Sequence, residues 1–222
     1  MDSQLPNTDL IIFDCDGVIV DSEVLSCGCL SEVLHECGVE LSIEQVLRLF
    51  LGRSTADVIE YCQAAGKPLP KDFLTDLSLR IREIFRCQLE PIAGVGTLLS
   101  ELRIPFCVAS SSDLERVSFS LRLTGLGDHF GDRVYTSQMV RCGKPAPDLF
   151  LHAAAAMGSK PDRTLVIEDS VSGVMAAKGR RHEGVGVCRR CTLPLPEQRS
   201  AQGCRSRSDL RPDCGFLDGR LT

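Results

Sequence analysis

The sequence has no tryptophan, and aromatic residues fill only 5% of its 222 positions, so any core must be aliphatic. It has no excess of basic charge: the formal net charge is -5. A polyphosphate backbone is not attracted to such a chain, which argues against nucleic acid as a partner. A small anionic substrate would need local positive groups or a metal. There is no apolar run near the roughly 20 residues that span a bilayer, which argues against membrane insertion. The first residues, Met1 to Asp9, are polar and acidic and lack the basic and apolar regions of a signal peptide, so a cytoplasmic protein is expected. The twelve cysteines lack a repeating spacing. With no secretion signal they read as reduced thiols, several of them packing like small hydrophobes. Cys188-Arg189-Arg190-Cys191 has C-x-x-C spacing, but Cys204 and Cys214 form no second pair of that kind, which argues against a zinc site.

What remains is ordinary globular composition, 43% hydrophobic and 25% charged. The length suits one medium domain, or a core domain with a smaller insert. Asp9-Leu10-Ile11-Ile12-Phe13 is a continuous apolar run that ends in Asp14. Runs of this kind fit strands buried on both faces of a parallel sheet. Pro105 to Ala109, ending in Ser110-Ser111-Ser112, and Thr164 to Ile167, ending in Glu168-Asp169, have the same form. Helical stretches are expected over Gly94 to Leu102, Leu114 to Leu123, and Pro147 to Met157, the last with Pro at its first position and Gly158 past its end. Strand alternating with helix implies an α/β fold, a Rossmann-like parallel sheet. From about Glu23 to Glu90 the rhythm breaks. Apolar residues recur there at helical spacing, in Ile43, Val46, Leu47 and Phe50, then in Phe73, Leu74, Leu77, Ile81, Ile84 and Phe85. This reads as a helical insert. The expected organisation is a catalytic core from residues 1–20 and 91–222 with a helical cap over 21–90. Gly184 to Val187 reads as a last short strand. From Gly179 on, the chain carries nine Arg, no Lys and several Pro, and residues 189–222 read as an irregular tail.

Each apolar run delivers polar residues at its C-terminal end, the edge where open α/β sheets bind ligands. Asp14 and Asp16 stand at i and i+2, followed by Gly17, which permits a tight turn. Two carboxylates this close are unfavourable without a cation; alone, the segment reads equally as a polar loop rich in turn formers. Glu168-Asp169 adds two more acids, and an oxygen-rich site of this kind suits Mg²⁺. Ser110, with Ser111 and Ser112 after it, can hold a phosphoryl group, cap a helix, or do both. Lys144 lies in Gly143-Lys144-Pro145-Ala146-Pro147, a Pro-bounded loop just before a helix.

Together these segments resemble the haloacid dehalogenase superfamily over about Asp9 to Lys178. Asp14-x-Asp16-Gly17-x-x-x-Asp21-Ser22 is similar to its first motif, Ser110 to the second, Lys144 to the third, and Glu168-Asp169-Ser170-x-x-Gly173 to the fourth. The helical insert resembles the cap of the β-phosphoglucomutase-like branch. The resemblance implies Mg²⁺-dependent phosphoryl transfer. Asp14 would be the nucleophile and Asp16 the general acid and base. Ser110 would hold a phosphoryl oxygen, and Lys144 would bridge Asp14 and the phosphate. Asp14, the backbone carbonyl of Asp16, Glu168 and Asp169 would hold the metal. The acid at position 16, absent from the dehalogenases themselves, argues for phosphoryl transfer. Leu51-Gly52-Arg53-Ser54-Thr55 looks like the cap loop that reaches the active site. Arg53 and Glu23, together with Ser110 and Ser111, are therefore expected to contact substrate.

The position matching the cap histidine of β-phosphoglucomutase is Ser26, which favours hydrolysis over isomerisation. The overall resemblance is to bacterial sugar-phosphate phosphatases of the 6-phosphogluconate type, and it extends to Leu89-Glu90-Pro91-Ile92-Ala93-Gly94. The expected partner is a small phosphorylated metabolite, and the expected assembly a monomer or small homo-oligomer. A mutase and a non-catalytic binding protein on the same fold are the alternatives. The tail departs from the family.

Overall fold

The structure is a computed structural model. It describes residues 8–51 and 53–179, and the backbone of 185–187. The C-x-x-C segment and the tail expected to be irregular lie outside the described residues.

Among the described residues, five strands form one parallel sheet: β1 (Leu10–Phe13), β2 (Phe106–Ser110), β3 (Val134–Thr136), β4 (Thr164–Glu168) and β5 (Val185–Val187). Their order is β3-β2-β1-β4-β5, which places β1 at the centre. Phe13 pairs with Val108 on one side and Ile167 on the other. The three long apolar runs are thus the three central strands, and Gly186 is in register with Ile167 as part of the expected last strand. β3 has no counterpart among the expected strands. Its three residues are too few to show a period, and register with β2 (Val108 opposite Val134, Ser110 opposite Thr136) holds it in place.

Alternation along β1 divides the interior into two layers. Leu10 and Ile12 face a cluster with Cys107, Leu149, Phe150, Ala153 and Ala176. Ile11 and Phe13 face the other side, where Phe106, Val108, Val117 and Phe130 pack. Helices cover both faces: α5 (Val95–Glu101), α6 (Leu114–Leu123), α7 (Gly127–Phe130), α8 (Asp148–Ala156) and α9 (Val171–Lys178). α8 starts one residue after Pro147, which takes the position before the helix rather than its first turn.

The expected insert is four helices: α1 (Glu23–Glu36), α2 (Ile43–Phe50), α3 (Thr55–Ala64) and α4 (Phe73–Gln88). Capping boxes start two of them. Ser42 pairs with Gln45 for α2, and Ser54 with Asp57 for α3, satisfying backbone donors that a helix start leaves orphaned. In α4 the buried residues are Phe73, Leu77, Ile81 and Phe85, a strict i, i+4 row. Leu74 and Ile43, assigned from spacing to the apolar stripes, are 45% and 38% exposed. Each lies a residue or more off the row that faces inward. The insert leaves the core and rejoins it at adjacent points. Val20 forms an antiparallel bridge with Pro91, Asp21 donates its N–H to Glu90, and Ile92 donates to Ile19. Apolar packing runs unbroken from Phe13 and Val108 through Ile19 and Val20 to Val33, Leu34, Val46 and Phe85, so the insert and the sheet share one core.

Candidate active site

The C-terminal ends of β1, β2 and β4 converge on one cavity of about 170 Å³, roofed by the insert. Parallel pairing makes this unavoidable. With Phe13 in register with both Val108 and Ile167, the residues that follow the three strands emerge at one edge. Asp14, Asp16, Ser110, Ser111, Lys144, Glu168 and Asp169 all line the cavity, as do Glu23 and Arg53 from the insert. Every residue singled out from sequence as a candidate site residue is therefore brought together here.

Asp14 is almost fully buried, and its N–H is tied to the Ile167 carbonyl at 2.9 Å. The chain then reverses: Ile19 and Val20 donate to the Cys15 carbonyl and Gly17 donates to that of Val20. Gly17 sits at φ 78°, in the left-handed region. Any Cβ there would overlap the Asp169 carboxylate, so glycine is required by conformation and by space together.

Lys144 Nζ lies 2.7 Å from Asp14 Oδ1 and 2.7 Å from Glu168 Oε1, and its side chain is only 2% exposed. Burial alone would push its ammonium toward neutrality; the charges of Asp14 and Glu168 outweigh this and raise its pKa. Glu168 is completely buried, and its second oxygen accepts the Ser170 N–H at 2.6 Å. Ser170 caps α9 by accepting the Gly173 N–H. A Cβ on Gly173 would strike the Glu168 carboxylate, which explains a glycine inside that helix.

Asp14, Glu168 and Asp169 each offer a carboxylate oxygen within 4.8 Å of the others. Burial first, then the neighbouring acids, push Asp14 up to about 8 and Asp169 up to about 6, with Lys144 opposing the rise in both. Glu23, at the start of α1, is pushed up to about 9 by burial and then by Asp169 and the other acids. Oδ1 of Asp169 is buried without a hydrogen-bond partner among the described residues. A compact set of anionic oxygens with one oxygen left unpaired is what a hard divalent cation fits.

Asp16 is held differently. Its Oδ1 accepts from Ser22 Oγ at 2.6 Å and Arg116 Nη2 at 3.2 Å, and its Oδ2 from Ser112 Oγ at 2.8 Å. Burial opposes its charge, but Arg116 and these hydrogen bonds outweigh the burial and hold it below the usual carboxylate range. The site thus contains two carboxylates with opposite tendencies, Asp14 pushed up and Asp16 pulled down.

Ser110 is 1% exposed, and its Oγ accepts the Ser112 N–H at 3.1 Å, shaping the turn into α6. Ser111 is exposed at the cavity edge, and its carbonyl accepts from Ser137. Arg53 is exposed at the cavity rim, with its N–H on the Phe50 carbonyl. Arg116, on the first turn of α6, was not foreseen. Helical periodicity puts it near the solvent-facing side of an amphipathic helix, and nothing in its neighbours in sequence signals that it reaches Asp16.

No helix among the described residues is long and apolar enough to cross a membrane. The family model for haloacid dehalogenase-like hydrolases matches residues 8–179. The chain is 29% identical over 170 residues to the 6-phosphogluconate phosphatase of Escherichia coli (strain K12), covering 76% of this chain and 77% of that one. It is 30% identical over 181 residues to the fructose-1-phosphate phosphatase YqaB of the same organism, covering 80% and 95%. Among solved structures it is similar to a haloacid dehalogenase-like protein of unknown function from Agrobacterium tumefaciens str. C58. That similarity has a TM-score of 0.71 and 35% identity, and covers 81% of this chain and 82% of that one. With its four motif segments gathered at one sheet edge beneath a helical insert, the chain belongs to the haloacid dehalogenase-like hydrolases and is a phosphohydrolase of that type.

Proposed function

We propose that the protein hydrolyses small phosphate monoesters, sugar phosphates foremost, through a covalent phosphoaspartyl intermediate on Asp14. The observation that carries this reading is the contrast between Asp14 and Asp16. One carboxylate is buried on an ammonium at 2.7 Å, while the other, two residues on, is held by Ser22, Ser112 and Arg116 in the same cavity. Asp14 Oδ attacks phosphorus in line with the leaving oxygen. The ester P–O bond breaks, and Asp16, which must first take up a proton from solvent against the pull of Arg116, Ser22 and Ser112, delivers that proton to the departing alkoxide. Asp16, now ionised, takes a proton from water, which attacks the phosphorus of the acyl phosphate, releasing inorganic phosphate and regenerating Asp14. Ser110 and Ser111 hold phosphoryl oxygens. Lys144 keeps Asp14 oriented and offsets the charge that gathers as the phosphate enters. When bound, Mg²⁺ would be held by Asp14, Asp169, the carbonyl of Asp16 and Glu168, and would supply the remaining positive charge around the phosphoryl group.

The insert acts as a cap, with Arg53 and Glu23 facing the leaving group. The small cavity, about 170 Å³, suits a compact metabolite rather than a polymer end. Relatives named for 6-phosphogluconate and fructose 1-phosphate support a sugar-phosphate substrate. The eight described cysteines are free thiols, in keeping with action in the cytoplasm. A mutase is disfavoured because Ser26 carries no titratable group and its Oγ is engaged by Arg116 at 2.9 Å.

The test is a screen of sugar phosphates and other small phosphate esters with Mg²⁺. Release of inorganic phosphate by the protein, and its loss in Asp14→Asn, is the expected result. Turnover that requires a sugar bisphosphate primer would favour the mutase. Absence of activity on every ester, with Mg²⁺ binding intact, would leave a non-catalytic role.

A further inference from the structure

The active-site cavity has two unlike halves. Its floor, at the ends of β1, β2 and β4, is carboxylate, hydroxyl and ammonium. Its roof, contributed by the insert, is lined by apolar side chains: Cys27 and Leu30 from α1, Phe50 from α2, Val58 from α3, and Leu77 and Ile81 from α4. All six belong to the buried cluster that packs the insert itself. Cys27 counts with the hydrocarbons, because burial pushes its thiol up to about 12 and keeps it neutral. Side chains that hold a close-packed insert together cannot swing aside to present something else, so the apolar character of the roof is built in.

The polar groups of the insert lie elsewhere or are engaged. Ser26 Oγ accepts from Arg116 at 2.9 Å. Ser54 Oγ accepts the Asp57 N–H and donates to the Asp57 carboxylate. Glu23 sits down among the acids, its carboxyl carbon 3.0 Å from where a Cβ on Gly17 would stand, beside Asp169. Arg53 and Thr55 are exposed. A substrate hydroxyl turned toward the six apolar side chains gives up water and gains no hydrogen bond from them, a cost that a hydrocarbon in the same place does not meet.

We infer that the leaving group of the substrate turns a hydrocarbon face to the insert, so that the protein prefers phosphate esters of deoxygenated alcohols, deoxy sugars among them, over fully hydroxylated ones. The inference deepens the phosphatase reading above and rests on it. The polar floor takes the phosphate. The carbon skeleton lies against Leu30, Phe50, Leu77 and Ile81, and a polar far end is met at the rim by Arg53.

The test is a series on one carbon skeleton, with Mg²⁺ present: propyl phosphate, propane-1,2-diol 1-phosphate and glycerol 1-phosphate. Ribose 5-phosphate and 2-deoxyribose 5-phosphate repeat the comparison on a sugar. Each added hydroxyl makes the alkoxide a better leaving group, so intrinsic reactivity runs against the expected order. kcat/KM should fall about 10-fold for each hydroxyl added, inside the roughly 100-fold by which an apolar pocket rejects an added hydroxyl. Val58→Thr and Leu30→Gln each put a hydrogen-bonding group into the roof. The ratio of kcat/KM on the propyl ester to that on the glycerol ester should shrink about 3-fold or more in at least one of them, the size of one net hydrogen bond. Because both esters are measured on the same preparation, a smaller folded fraction cancels from that ratio. A flat or reversed series, or a ratio unchanged in both variants, would overturn the inference while leaving the phosphatase reading intact. If the unaltered protein turns over none of these esters and no p-nitrophenyl phosphate either, the phosphatase reading itself fails and takes the inference with it.

Discussion

Replacing Lys144 by alanine is the sharpest perturbation the structure offers. The ammonium is 2% exposed and sits 2.7 Å from both Asp14 and Glu168. Its removal leaves two buried carboxyl groups without their counter-charge. Breaking a buried ion pair from one side costs about 3–5 kcal/mol, because the orphaned charge is worse off than the pair was. In a chain of this size each kcal/mol moves Tm by about 2–4 °C, so a fall of about 6–20 °C is expected without metal. The pH dependence carries a definite sign. Asp14 already titrates at about 8 in the folded protein against 3.8 unfolded, so its folded form favours the proton. A carboxyl shifted upward lends stability that is complete below the unfolded value and is lost as pH rises through the folded value. Removing Lys144 raises the folded value further, so the gap between variant and wild type must widen above about pH 8. Urea denaturation at pH 6 and pH 9 in the presence of a chelator measures this. A loss below about 1 kcal/mol that is equal at both pH values would refute the ion-pair account, since it would mean that the buried acids never relied on the ammonium.

Gly17→Ala should lower Tm and cut Mg²⁺-dependent turnover at least about 10-fold, because a Cβ at φ 78° meets the Asp169 carboxylate; overpacking of this kind costs about 1–3 kcal/mol. Unchanged activity would mean that the Asp169 position is not needed. Mg²⁺ should raise Tm more at pH 8 than at pH 6, since protons on Asp14 and Asp169, which titrate at about 8 and about 6, compete with the cation. A larger shift at pH 6 in a thermal melt would contradict that order. Arg53→Ala should raise KM for a sugar phosphate with little change in kcat, because Arg53 belongs to the insert and is exposed at the cavity rim. A fall in kcat at constant KM would assign it to the chemistry instead.

The sheet was legible because strands buried on both faces announce themselves as unbroken apolar runs, and Leu10 to Phe13 is one. Asp14, Ser110 and Glu168 were legible for the same reason, since each sits at the end of such a run. Lys144 was harder to read: a lone lysine is ordinarily solvated, and only the motif order singled it out. β3 escaped notice because three residues carry no period. Leu74 was misassigned because a helical stripe read from spacing is wider than the row that α4 buries. Arg116 was invisible for a different reason. It meets Asp16 from 100 residues away, through contacts that exist only once α1, α4 and α6 have packed, and no local pattern encodes a meeting of that kind.

The bridge between Val20 and Pro91 has a consequence for how such a protein diversifies. A segment whose two ends are neighbours is a closed loop to the rest of the chain, and its length and content can change without altering the strand register. Asp14, Ser110, Lys144, Glu168 and Asp169 all lie outside that loop, while Glu23, Ser26 and Arg53 lie within it. On the proposed reading, the residues assigned to bond cleavage and those assigned to substrate choice are therefore written in separate stretches of sequence, and one set can be revised while the other is kept.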